Sequence, residues 1–154
     1  MAQRAGSRPS TTAKIPHSQT NQQPADAHFL TQVLDEAASW PDVVQGASGI
    51  SVEGARALSL ADGVAGGLPE AFMVGREFCH GHAQGDYSLH MTLPLELVDA
   101  IDASGWIEPH FLVLTGQLPR THVMVYAPRD GQEVAVVTGL VRASYEFARG
   151  LAQA

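Results

Sequence analysis

The chain has one cysteine, Cys79, so no internal disulfide is possible and nothing requires an oxidising compartment. No apolar run approaches the ~20 residues of a membrane span, and the N-terminus has no apolar signal core, although it is basic, acid-poor and Ser/Thr-rich in the manner of a transit peptide. Cations are also scarce. Residues 1–26 carry three (Arg4, Arg8 and Lys14) against one acid, a net of +2; residues 27–154 carry six arginines against fifteen acids, a net of −9. So acidic a body offers no footprint for a phosphate backbone, so nucleic acid is excluded as a partner. A soluble, cytoplasmic protein without a membrane partner is expected. No internal repeat is visible.

The 154 residues suffice for one domain with a real core. Residues 1–25 are rich in Ser, Thr, Gln, Pro and Arg, and bury too little apolar surface to offset their ordering entropy; a disordered tail is expected, with His17 outside any site. A single domain is expected over residues 26–154. Phe29, Leu30, Val33, Leu34 and Ala37 follow helical spacing after Asp26, and Trp40-Pro41 ends that helix. Gly46 to Asp62 reads as two short strands, through Ile50 and Val52, then Leu58 and Leu60. Ala71 to His82 and Ser88 to Leu93 read as a third and a fourth. Pro94 opens a helix to Ser104, His122 to Tyr126 is a strand, and Asp130 starts a last helix. The expected fold is α+β: an antiparallel sheet of four to five strands with helices mainly on one side.

What the chain does have is histidine, seven in all, with His80, His82 and His90 within eleven residues. Alternation along a strand puts His80 and His82 on one sheet face. Gly85 and Asp86 supply turn chemistry between them and His90. A hairpin centred on Gly85 pairs residues whose numbers sum to 170, so His80 faces His90 and His82 faces Ser88, with β-carbons of opposed residues ~5 Å apart. Leu89, Met91 and Leu93 then turn to a core. Neutral imidazoles so gathered are ligands for Zn, Fe, Ni, Mn or Cu, a divalent transition metal. The alternative is a hydrogen-bonded polar sheet surface. Strict alternation points Glu77 away from the pair, and it joins them only if a β-bulge intervenes. Cys79 faces the core.

Glu77, His80 and His82, then Ser88, Leu89 and His90, then Gly105, Trp106 and His110, then Val123 to Asp130, form a series that resembles the small "luciferase domain" proteins from about Trp40 onward. The chain is far shorter than the flavin-dependent barrel luciferases, and light emission is not expected. The resemblance adds His110 as a fourth ligand, after His80, His82 and His90. Glu77 is then a ligand or general base. Tyr126 and Arg129 are candidates for substrate binding, although Arg129-Asp130 also reads as a helix cap with an ion pair. His122 reads as surface and His28 as solvated. The expectation is a metal-dependent enzyme acting on a small organic molecule. A metal-free cyclase or isomerase using His/Glu acid–base chemistry and a non-catalytic binding module are the alternatives.

Overall fold

The computed structural model describes residues 1–151. Its elements, in chain order, are α1 (His28–Ala38), β1 (Val43–Ala47), β2 (Arg56–Leu60), β3 (Glu77–Gly81), β4 (Leu89–Thr92), α2 (Leu95–Ile101), β5 (Ile107–Pro109), α3 (Phe111–Leu114), β6 (His122–Val125) and α4 (Gly131–Ala148). The strands form an antiparallel open sheet in the order β1-β2-β3-β4-β6-β5, six strands among the described residues rather than four to five. β5, three residues of Ile-Glu-Pro, is too short for an alternating pattern to be read, and β1 lies ahead of the strand expected through Ile50 and Val52.

Alternation divides the sheet into two unlike faces. Leu58, Cys79, Leu89, Met91, Val123, Val125 and Ile107 join Leu30, Val33 and Leu34 of α1 and Val137, Leu140, Val141 and Tyr145 of α4 in one apolar core. Gly81 sits between His80 and His82 and faces α1. A β-carbon there would come within 3.0 Å of the Leu30 and Leu34 methyls, so glycine permits the helix to lie this close. α4 starts at Asp130, whose carboxylate accepts the Glu133 N–H at 2.8 Å. The helix after Pro94 passes into a 3₁₀ turn and exits at Gly105, where φ is 85°.

Two expectations are corrected. Ile50 and Val52 belong to no strand; they lie in the connection between β1 and β2. The segment before α1 packs against the domain instead of forming a disordered tail. Arg4, His17 and Gln19 are buried. The reason is polar rather than apolar: Trp106 Nε1 donates to the Ala2 carbonyl (2.7 Å), the Ala127 N–H to Gln19 Oε1 (2.9 Å) and Thr11 Oγ1 to Glu108 (2.9 Å). A rule based on hydrophobic burial does not register such bonds. Among the described residues, no helix is long and apolar enough to cross a membrane.

Met91 is fully buried in the core, whereas Val44 on the edge strand is 52% exposed. Met91→Ala should lower unfolding free energy by about 2–5 kcal/mol, and Val44→Ala by less than about 0.5 kcal/mol. Urea midpoints of the two variants check this.

Candidate metal centre

The opposite face of the sheet carries the histidines. β3 and β4 pair as Cys79 with Met91, His80 with His90 and Gly81 with Leu89. The His82 N–H extends the ladder to the Ser88 carbonyl at 2.9 Å. The ring centroids of His80, His82 and His90 lie 5.0–5.6 Å apart. All three rings are 3% exposed, and one nitrogen from each falls within 4.8 Å of the others.

Glu77 reaches this face because β3 bulges. Leu58 pairs with Cys79 but Ser59 pairs with Glu77, leaving Phe78 as the extra residue. Phe78 and Cys79 both enter the core, and Glu77 returns to the side of His80. Its carboxylate accepts from His80 Nδ1 (2.8 Å), from Ser48 Oγ (2.9 Å) and from the Gly49 N–H (3.0 Å). Asp86, in the hairpin turn, does the same for His82: Oδ1 lies 2.8 Å from His82 Nδ1 and also accepts from Ser88 Oγ at 2.9 Å. Each carboxylate holds the Nδ1 proton of its imidazole, so Nε2 of His80 and of His82 presents a bare lone pair.

His90 has no carboxylate. Its Nε2 is 3.4 Å from His17 Nδ1, and its Nδ1 is 3.3 Å from His80 Nε2. His17 in turn gives its Nε2 proton to Glu108 at 2.8 Å, so its Nδ1 is an acceptor. That nitrogen also accepts the Phe111 N–H at 3.2 Å, so the His90 proton has two places, on Nε2 towards His17 or on Nδ1 towards the bare Nε2 of His80; an ion held between His80 and His90 would require the first. Two nitrogens bound at ~2.0–2.1 Å to one ion at a tetrahedral angle stand ~3.3–3.4 Å apart, which matches the His80–His90 separation. Burial lowers the pKa of His80 and His90, with neighbouring imidazoles lowering that of His90 further. Both stay neutral near pH 7, as ligation requires. Burial opposes ionisation of Asp86, but its bonds to His82, Gln19 and Ser88 hold it below the ordinary carboxylate range.

His110, the fourth sequence candidate, belongs to a neighbouring group with His17 and His90. Its Nδ1 accepts the Leu112 N–H at 3.0 Å, and burial brings its pKa down to about 4. Tyr126 stands further off; its hydroxyl donates to Glu108 at 2.8 Å, three polar contacts from His90 by way of Glu108 and His17. Arg129 is not among the residues around the histidine cavity. It forms the ion pair with Glu133 beside the Asp130 cap and also donates to the Ala5 carbonyl at 2.9 Å. Cys79 is core, and burial pushes its thiol well up. His28 is exposed.

Over the cluster lies a cavity of about 280 Å³. Ile15, Pro16, Ile50, Val52, Met73, Leu112 and Leu118 supply apolar walls; His17, His80, His82, His90, His110, His122 and Ser51 supply the polar groups. Sequence reasoning missed His17, Asp86, Glu108 and His122. Only Asp86, in the turn between the histidine strands, carried a sequence signal.

Residues 75–144 match the family described as Luciferase domain. The resemblance first carried by the histidine motifs therefore holds, and the matched span includes Glu77, His80, His82, His90, His110 and His122 but not His17. Among curated proteins the chain is similar to proteins named luciferase from Armillaria mellea and Armillaria ostoyae, each 34% identical over 74 residues. One from Armillaria gallica is 32% identical. The match covers 47% of this chain and 28% of each relative, so the luciferase-domain segment spans about a quarter of their length. No solved structure matches.

Removing residues 1–20 should strip Ile15, Pro16 and His17 from the cavity and break the bonds of Gln19 and Thr11. At about 1 kcal/mol for each bond and ~2–4 °C per kcal/mol for a chain of this size, the thermal midpoint should fall by about 5 °C or more. An unchanged midpoint would show that the segment does not pack.

Proposed function

We propose that the histidine face is the centre of a metal-dependent enzyme acting on a small organic molecule. The observation that carries this reading is the preset triad. Nitrogens of His80, His82 and His90 gather within 4.8 Å, and two of these rings are oriented by buried carboxylates. Three protein ligands with a cavity above them suit a catalytic ion, which keeps a position open. Such an ion would activate water or polarise a carbonyl and, if iron, copper or nickel, would support oxygen chemistry. The protein's own residues bind and orient. Glu77 and Asp86 fix the imidazoles of His80 and His82, His17 packs against His90, and the apolar walls exclude water. The name luciferase belongs to relatives that are matched over only 28% of their length; for this chain it supports an enzyme, and light emission is not proposed. A cytoplasmic location is part of the proposal, as is the absence of a nucleic-acid partner.

One observation favours a second reading. Glu77 and His80, 2.8 Å apart and buried, also form an acid–base pair suited to a metal-free cyclase or isomerase. Elemental analysis separates the two. Untagged protein should carry about one equivalent of a divalent transition metal, one ion per triad, and chelation should lower its thermal midpoint, since the ion binds only the folded state. His82→Ala should lose the metal while His28→Ala keeps it. Glu77→Ala should weaken metal affinity by about 10–100-fold. Protein that stays metal-free after exposure to Zn, Fe, Ni, Mn and Cu, yet turns over a substrate, supports the acid–base enzyme instead.

A further inference from the structure

His122 is unlike the other histidines of the cavity. It is 3% exposed, lies on β6 beside the triad and lines the cavity, yet its Nε2 has no hydrogen-bond partner among the described residues. Buried polar groups are nearly always paired, and an orphan in a cavity wall points to a ligand. The rest of the ring has polar neighbours. Nδ1 lies 3.4 Å from Thr121 Oγ1, which donates to the Glu70 carbonyl at 2.8 Å, and burial lowers the pKa of the ring although the backbone of Pro119 and of Phe72 opposes this. Nε2 is the ring nitrogen left without a partner, and it can donate to or accept from a hydroxyl according to the tautomer. A second buried atom without a partner, Ser51 Oγ, lines the same space. No arginine or lysine lines it, and most of its other walls are apolar. Its volume, about 280 Å³, lies at the low end for ligand sites.

We propose that His122 Nε2 forms a hydrogen bond with the hydroxyl group of a small and otherwise largely apolar substrate, an alcohol or phenol, with Ser51 Oγ bonding to an oxygen of the same molecule. The inference deepens the proposed function by naming a substrate class. It rests on that reading for the cavity's role, although binding at His122 needs no metal. His122 is a substrate-binding group here, and no bond is made or broken at it.

The probes are phenol and toluene, which differ by the hydroxyl. In full-length protein with ¹⁵N-labelled histidine, phenol should move the His122 Nε2 resonance and toluene should leave it in place. Phenol should bind about fivefold or more tightly than toluene, the factor set by one net hydrogen bond. His122→Phe should erase that preference while keeping toluene binding. Should this variant fail to fold, the resonance of the unaltered protein decides alone. A resonance that phenol does not move, or a folded His122→Phe protein with the preference intact, overturns the assignment. Metal content measured on the same samples keeps the two claims apart. A metal-free sample that still shows the shift retains this site and removes the metal, and a metal-loaded sample without the shift does the reverse.

Discussion

Between Cys79 and Met91, and again between His80 and His90, β3 and β4 pair in a register with no slack. A slip of one residue would turn Leu89 and Met91 out of the core and His90 into it. The core face therefore enforces the site face. Leu89 and Met91 are fully buried against α1 and α4, and the apolar area they remove from water holds three imidazoles opposite. Gly81 serves the same end, because without a β-carbon it leaves room for the Leu30 and Leu34 methyls of α1 over the strand between His80 and His82.

The polar face is costly, and its arrangement shows how the cost is offset. Imidazoles and carboxylates out of water need partners. Three pairs at 2.8 Å supply them: Glu77 with His80, Asp86 with His82 and Glu108 with His17. His90, in the middle, has only other histidines around it, so burial and their proximity keep it neutral. The three pairs anchor three separate pieces of chain. Glu77 also holds the Ser48-Gly49 backbone, which brings Ile50, Ser51 and Val52 over the cavity. Asp86 holds the hairpin turn and Gln19. Glu108 holds the N-terminal segment through Thr11 and His17. Cavity walls and imidazole orientation thus depend on the same carboxylates.

Where side-chain alternation and turn chemistry coincide, the sequence was legible. Gly85-Asp86 between two alternating runs located the hairpin and the His80–His90 pairing, and Asp130 located the start of α4. Glu77 was legible only conditionally, because a bulge leaves no mark in composition; it required Phe78 and Cys79 to share the core side. The stretch around Ile50 and Val52 misled, since apolar alternation looks alike in a strand and in a loop lining a cavity. His17 was invisible for a different reason. Its segment is held by hydrogen bonds rather than by apolar burial, and composition weighs only the latter. His122 looked like a surface residue at the head of a strand, and only the fold turned its Nε2 inward.

The central claim is that His80, His82 and His90 hold one metal ion. Anomalous diffraction from crystals of the purified protein tests it most directly. The account predicts a single strong peak ~2.0–2.1 Å from His80 Nε2, His82 Nε2 and His90 Nδ1, with Glu77 and Asp86 still bonded to the far nitrogens of their rings. Metal bound elsewhere while the three imidazoles keep their places, or no peak after exposure to divalent metals, would contradict it.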